Sequence, residues 1–317
     1  MLWPLSRIVP GFLFKKTAPF RVFPLKGIKD AQGSLAQGYV ITKPYLEDRF
    51  LKEAHNILPL DDIVAAAEIA HRLGVKILGL GGFPASVSEQ LHKISKKVAI
   101  PVTSGNALFA WSIFETIFQA CREKKIDLAR TNLVVLGAAS SLGVLCSKKL
   151  STLVSRVVVC DGDIAVLKAL KEKIAAISSA AVTIEQDSRK AVKEADIVII
   201  CAAQEERIFN AGDLRPGGLI CDVSWCGPAR SRLKPGHGCV VVNSGLVKLP
   251  KTNDFIFDAD FGKNVICASM AEVILLALEN KFLPFGSGSQ TNFEKLEDIA
   301  DIAARHGFEI WFSEAHP

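Results

Sequence analysis

Residues 132–150 read NLVVLGAASSLGVLCSKKL. A run of β-formers leads into Gly137-Ala138-Ala139-Ser140-Ser141-Leu142-Gly143, and a helix-like stretch follows. A strand, a glycine turn and a helix in that order form the unit that cradles a dinucleotide pyrophosphate. The first glycine permits the tight turn and the last lets helix and strand pack closely. The middle glycine of the usual pattern, which lets backbone approach the phosphates, is replaced by Ser140. A Cβ there narrows the approach, while the hydroxyl offers a donor to a phosphate oxygen. The helix N-terminus favours an anion in either case, through its free N–H groups and its dipole.

Outward from this turn, the pattern keeps alternating. Strands are expected at 132–136, 155–161, 180–185, 196–203, 217–224 and 239–243, with helices over 142–152, 163–177 and 188–194. Runs such as VVVC and VIIC have no polar alternation, so these strands are covered on both faces by helices. The expected fold class is therefore α/β, with a Rossmann-type doubly wound parallel sheet in the C-terminal half. Asp161 lies 24 residues after Gly137, at the end of the second strand. A carboxylate there accepts both adenosine-ribose hydroxyls and repels a 2′-phosphate, which favours NAD while leaving NADP possible. The plain alternative is a buried strand, turn and helix with Asp161 as a turn residue. Ala202 and Ser224, at the ends of later strands, are further candidate cofactor contacts.

Before the turn, residues 36–45 read as a strand closed by Pro44, 60–75 as a helix ending at Gly74, and 76–83 as a strand with a glycine-rich turn. A short strand and loop over 99–106 precedes a long apolar helix, 107–125. After the sheet, 264–280 and 292–308 read as two more helices. Residues 1–125 then form an N-terminal α/β substrate domain completed by the C-terminal helices of 264–317, and 126–263 form the dinucleotide-binding domain. A substrate cleft is expected between them.

Composition narrows the function classes. The chain has 317 residues, 49% of them hydrophobic, enough for a full core and against disorder. The net charge of +5 is dispersed, with no basic stripe and interleaved aromatics, which argues against nucleic acid. Eight scattered cysteines without a CxxC pair read as small buried thiols in a reducing cytosol, so a cytoplasmic location is expected. The apolar, basic N-terminus has no acidic residue before Asp30 and is broken by Pro4, Pro10 and Pro19. It reads as a strand-forming start, with at most peripheral contact to an anionic membrane as an alternative. No HxH, HExxH or DxD spacing suggests a metal, and no GxSxG elbow suggests a hydrolase.

Taken together, ILGLGGFPAS (77–86), VTSGNALFAW (102–111), IDLARTNLVVLGAASSLG (126–143), VVNSGLV (241–247), ASMAEVILLALEN (268–280) and NFEKLEDIADIAARHGF (292–308) resemble the long-chain acyl-[acyl-carrier-protein] reductases. Those enzymes share a two-domain layout with the shikimate dehydrogenase-like NAD(P)-binding proteins. The resemblance runs from about residue 36 to 310. It implies a small-molecule or acyl-thioester substrate and an acyl carrier protein as a possible partner. The family's turn is close to GATGDIG, so Gly137, Ala138 and Gly143 match and Ser140 departs. The family often has an arginine suited to NADPH after the second strand, where this chain has Asp161 and Gly162.

A larger departure concerns the nucleophile. The family places a cysteine directly before a hydrophobic-Ala-Glu triplet; here Ser269 precedes Met270-Ala271-Glu272. A serine hydroxyl is a far weaker nucleophile unless a base activates it. Cys267 lies two residues earlier, about 200° round a continuous helix, which would keep it from taking over without a register shift. Cys226 is another candidate thiol, after the strand ending at Ser224. Asn106, with Ser104 and Gly105, either caps the connecting helix or orients a substrate carbonyl. Glu272 either faces the cleft or pairs with a lysine. His306 suits the C-terminal dipole of its helix, and His237 is a weaker candidate acid. The candidate catalytic residues are therefore Ser269, Glu272, Cys267 and Asn106, and the substrate cleft is expected near Gly81, Gly82, Ser104 to Asn106 and Ser269 to Glu272.

Three functions follow in order. The first is an NAD(P)-dependent oxidoreductase acting on a carbonyl or alcohol, which needs no thiol. The second is an acyl-thioester reductase that forms an aldehyde through a cysteine thioester. The third is a catalytically silent dinucleotide-binding protein.

Overall fold

A computed structural model describes residues 20–42, 60–80, 91–201, 209–223, 238–250, 263–285, 293–311 and 313–314. Ala202, Ser224, Cys226, Gly81, Gly82 and His237 lie outside these residues.

The first strands, β1 (Arg21–Lys29) and β2 (Leu35–Thr42), pair antiparallel. Asp30 shapes the turn between them by accepting the N–H groups of Gln32 and Ser34 at 2.9 and 2.7 Å. Helix α1 (Leu60–Arg72) carries Asp61 and Asp62 in its first turn and His71 and Arg72 in its last, matching the helix dipole. It is followed by β3 (Leu78–Gly79), α2 (Leu91–Ser95) and β4 (Val102–Thr103). β3 and β4 pair in parallel. Helix α3 (Asn106–Lys124) then buries eleven of its residues, Leu108, Ile113 and Ile117 among them, which puts it at the centre of the molecule.

The second half alternates β5 (Asn132–Leu136), α4 (Ser141–Ser151), β6 (Arg156–Cys160), α5 (Ile164–Ala175), β7 (Ala181–Glu185), α6 (Ser188–Val192), β8 (Ile197–Ile200), β9 (Leu219–Asp222) and β10 (Val240–Asn243). Asp163 and Asp187 cap α5 and α6 through their carboxylates. The six strands are parallel in the order β7-β6-β5-β8-β9-β10, the doubly wound arrangement with its switch point between β5 and β8. Alternate residues divide between two cores. Leu133, Val135, Val157, Val159, Ile197 and Ile199 share one with α3, α4 and α5. Val134, Leu136, Val158, Val198 and Ile200 share the other with α6. Burial on both faces is why these strands lack polar residues.

Beyond β10 come β11 (Leu246–Lys248) and β12 (Val265–Cys267), which pair antiparallel, then α7 (Ala268–Leu278) and α8 (Phe293–Arg305). The segment expected to be helical from 264 therefore begins as a strand: Val265, Ile266 and Cys267 extend to pair with Lys248, Val247 and Leu246. β13 (Glu309–Ile310) adds to β11, and β14 (Ser313–Glu314) adds antiparallel to β10 as an edge strand of the large sheet.

α7 and α8 both pack on α3, and α7 also packs on β3, where a Cβ on Gly79 would lie 2.9 Å from Cβ of Val273. A clasp fastens the hairpin to the ends of these helices. His306 Nδ1 is 2.7 Å from Asp30 Oδ2, His306 Nε2 is 3.0 Å from Glu279 Oε1, and Arg305 Nη2 donates to the same oxygen at 2.8 Å. The partners of His306 are thus two carboxylates rather than the helix dipole alone. Among the described residues no helix is long and apolar enough to cross a membrane.

Candidate active site

Gly137 directly follows β5 with φ 73°, a left-handed conformation suited to glycine. Its N–H and that of Ala138 both donate to the Cys160 carbonyl at 2.9 and 3.1 Å, which seats the turn against the end of β6. Ser140 is the N-cap of α4. Its hydroxyl accepts the Gly143 N–H at 3.0 Å and donates to the Gly137 carbonyl at 2.8 Å. The hydroxyl is therefore spent on the turn itself and not on a phosphate. Gly143 is sterically required: a Cβ on it would lie 2.2 Å from the Gly137 carbonyl oxygen and 2.8 Å from Cα of Ala138. The anion donors left at the start of α4 are the N–H groups of Ser141 and Leu142.

Asp161 stands beside this turn at the end of β6. Its Oδ2 accepts the Ala139 N–H at 3.0 Å and its Oδ1 accepts the Asp163 N–H at 3.2 Å. Two of about four acceptor positions on the carboxylate remain for a ligand hydroxyl. Turn and acid thus meet at the carboxyl edge of the sheet, next to the switch point, where ligands of such folds bind.

The second cluster lies where two helices start. Gly105 is the N-cap of α3, with φ 75° and no side-chain cap. Asn106 is the first helical residue, and its N–H donates to Ser104 Oγ at 3.4 Å. The capping role considered for Asn106 is filled from elsewhere, by Glu272 of α7. That side chain is fully buried, and its Oε2 accepts the Leu108 N–H at 2.9 Å. Glu272 Oε1 lies 2.5 Å from Thr103 Oγ1. Its carboxyl thus meets β4 and α3 and neither a lysine nor open space. Burial pushes the Glu272 carboxyl above the ordinary range, against its hydrogen bonding with Thr103 and with the amides of Leu108, Ala107 and Gly105.

Gly105 also touches the start of α7: a Cβ on it would lie 2.4 Å from both Cα and Cβ of Ser269. Cys267 is the last residue of β12 and the N-cap of α7, outside the helix. The strand-to-helix joint removes the angular separation expected for a continuous helix. It brings Cys267 Sγ within 3.1 Å of Ser269 Oγ. This contact was not legible from spacing, because the apolar run VIC continues into the apolar helix without a break.

Chain connectivity puts both clusters on one edge of the sheet. β10 ends at Asn243, and two residues on the Gly245 carbonyl accepts the Ala268 N–H at 2.7 Å. The start of α7 is therefore anchored at the carboxyl edge that also carries the glycine turn. Among the described residues no group of three or more His, Cys, Asp or Glu could hold a metal.

No protein-family model matches the chain. It is 25% identical over 326 residues to the aminotransferase PigE of a Serratia species, an alignment that takes in 98% of this chain and 35% of that protein. It is 22% identical over 329 residues to a long-chain acyl-[acyl-carrier-protein] reductase of Synechococcus elongatus, covering 94% of this chain and 90% of that enzyme. The chain thus spans about a third of the first relative and most of the second. Among solved structures, a shikimate 5-dehydrogenase from Listeria monocytogenes, in complex with shikimate and NAD, superposes with a TM-score of 0.39 at 12% identity. That match covers 81% of this chain and 92% of the dehydrogenase.

Proposed function

We propose that this chain is an NAD(P)-dependent oxidoreductase that acts on a carbonyl-level substrate held at the Gly105–Ser269 junction. The observation that carries the reading is the turn of 137–143 at the switch point of a six-stranded parallel sheet, with Gly143 in a place no Cβ fits and Asp161 beside it. The residues fit a dinucleotide. The N–H groups of Ser141 and Leu142 are directed for a pyrophosphate, and the Asp161 carboxylate for ribose hydroxyls, which favours NAD over NADP. When bound, the cofactor supplies or accepts a hydride. The chain's own residues bind and orient. The first-turn amides of α7 and the hydroxyl of Ser269, which is 7% exposed, stand where a substrate oxygen gathering negative charge is stabilised. The relative from Synechococcus supports a reductase, and the aminotransferase name is not carried over.

A second reading is favoured by one distance, Cys267 Sγ to Ser269 Oγ at 3.1 Å. A thiol at the N-terminus of an eleven-residue helix is better placed to ionise than one in an apolar core. Cys267 would then stand in for the nucleophile replaced by Ser269 and take an acyl group from a thioester.

Fluorescence titration with NADH and NADPH, followed by cofactor oxidation assays with aldehydes and acyl thioesters, tests both readings. Binding of NADH that is lost in Gly143→Ala supports the first, and absence of binding by the unaltered protein sinks it. Thioester turnover abolished by Cys267→Ala selects the second.

A further inference from the structure

We propose that Glu272 is held as a neutral carboxylic acid, and that its proton makes it the positioning residue that seats the Gly105 loop against Ser269. The argument is a proton count. Thr103 Oγ1 lies 2.5 Å from Glu272 Oε1 and 2.5 Å from the carbonyl oxygen of Phe285. The Gly105 N–H also points at this hydroxyl, at 3.3 Å. A threonine hydroxyl has one proton, and a backbone carbonyl can only accept. The Thr103 proton therefore goes to Phe285, and the proton between Thr103 and Glu272 belongs to Glu272. An ionised Glu272 would take the Thr103 proton and leave the Phe285 carbonyl facing a lone pair. In the neutral form every proton has an acceptor: Glu272 donates to Thr103, Thr103 donates to Phe285, and the remaining carboxyl lone pairs accept from Leu108 and face the amides of Ala107 and Gly105.

The surroundings agree. Glu272 is fully buried, and burial raises its carboxyl. β2, β3 and β12, which touch α7 or lead into it, carry no charged side chain. On β11, Lys248 lies over the Trp311 ring. On α8, Lys295 lies over the Phe285 ring, Arg305 is paired with Glu279, and Glu294, Glu297, Asp298 and Asp301 face solvent. Within α7 the neighbours one turn away are Ala268, Ser269, Leu275 and Leu276. On α3, Glu115 is half-buried and Arg122, Glu123 and Lys124 are exposed near its C-terminal end, so the Glu272 carboxyl meets Thr103 and the amides of Leu108, Ala107 and Gly105 rather than a cation, and a buried charge without a counter-ion is costly. The consequence, which rests on the functional reading above, is electrostatic. Without a resident anion, the N-terminal ends of α3 and α7 keep their positive potential for an oxyanion developing at the junction.

Infrared difference spectra of the full chain against Glu272→Gln, with glutamate carboxyls labelled with carbon-13, test the assignment. A protonated-carboxyl band in the unaltered protein at pH 7, absent from the variant, is expected. Glutamine reproduces the neutral pattern, its amide donating to Thr103 and its oxygen accepting from Leu108. Glu272→Gln is therefore expected to restore at least about a third of the kcat/KM that Glu272→Ala lowers by tenfold or more, with a pH profile parallel to that of the unaltered enzyme. A missing band at pH 7, or a glutamine variant as impaired as the alanine variant, overturns the proposal. If Glu272→Ala does not fold, the spectrum and the glutamine variant still decide. Failure of the unaltered chain to bind NADH or NADPH would sink the functional reading and leave the proton assignment to the spectrum.

Discussion

Gly105 and Ser269 meet backbone to backbone: the hydrogen that replaces a side chain on Gly105 points straight at Cα of Ser269. Through this contact the starts of α3 and α7, Asn106 and Ala268, which are 162 residues apart in the chain, form one surface. The positive φ of Gly105 and the absence of a Cβ are both needed for it.

Gly105→Ala is accordingly expected to be destabilised by about 2–4 kcal/mol. Of this, about 1–2 kcal/mol comes from the left-handed conformation and the rest from overpacking against Ser269. Urea unfolding of the variant measures the loss. A variant as stable as the parent would show that the two backbones can part at little cost.

Asp161 has two jobs, holding the Ala139 N–H and presenting acceptors at the edge of the turn. Asp161→Ala is expected to weaken NADH binding about tenfold while NADPH binding is maintained or improves, because the repulsion toward a 2′-phosphate goes with the carboxylate. Parallel fluorescence titrations check it. Equal loss for both cofactors would assign Asp161 to the turn alone.

The cysteines divide by environment. Burial pushes the Cys121 thiol up to about 11 and the Cys221 thiol up to about 12, and Cys201 is raised well above its usual value by its hydrogen bond with Cys146 and by burial. These thiols are inert at neutral pH. Cys267 is partly buried, as Cys201 is, but it sits at a helix N-terminus. Brief iodoacetamide treatment at pH 7.5 followed by peptide mass mapping should label Cys267 well before Cys121, Cys201 or Cys221. Labelling of those three at the rate of Cys267 would contradict the raised values of the three thiols and the helix-terminal position of Cys267.

The parallel sheet was legible because β-branched runs buried on both faces leave an unbroken apolar signal, and NLVVL, RVVVC and IVII all have it. The glycine turn and Asp161 were legible because their spacing follows from one strand, one turn and one helix. What escaped depended on contacts remote in sequence. Val265 to Cys267 read as helix because only the pairing with β11 makes them a strand, and the Cys267–Ser269 contact follows from that joint. Glu272 invited a local lysine partner, yet its hydrogen-bond partners are Thr103 and Leu108, 169 and 164 residues away. His306 looked sufficient at a helix end, and its carboxylate partner Asp30 lies 276 residues earlier.

That last pair sets the acid limit of the fold. Burial works to raise Asp30, but the hydrogen bonds from His306 and from the amides of Ser34 and Gln32 outweigh it and hold the carboxyl below its ordinary value. Glu279 is lowered chiefly by its hydrogen bond from Arg305, against burial and with a further contribution from His306. For a carboxyl whose folded value is depressed, the stabilisation is complete above the unfolded value and is lost as pH falls through the folded one. The clasp should therefore contribute fully at neutral pH and fail in the carboxylate range, below about pH 4. His306→Ala removes the side-chain hydrogen bond to Asp30, which is 1% exposed, and is expected to cost about 1–3 kcal/mol at pH 7. The gap between parent and variant should narrow as both are acidified, since Asp30 and Glu279 lose their charge as pH falls through their depressed folded values. Urea midpoints at a series of pH values from 7 down to 3 provide the check. A gap that stays constant to pH 3 would mean that His306 contributes by packing rather than by charge.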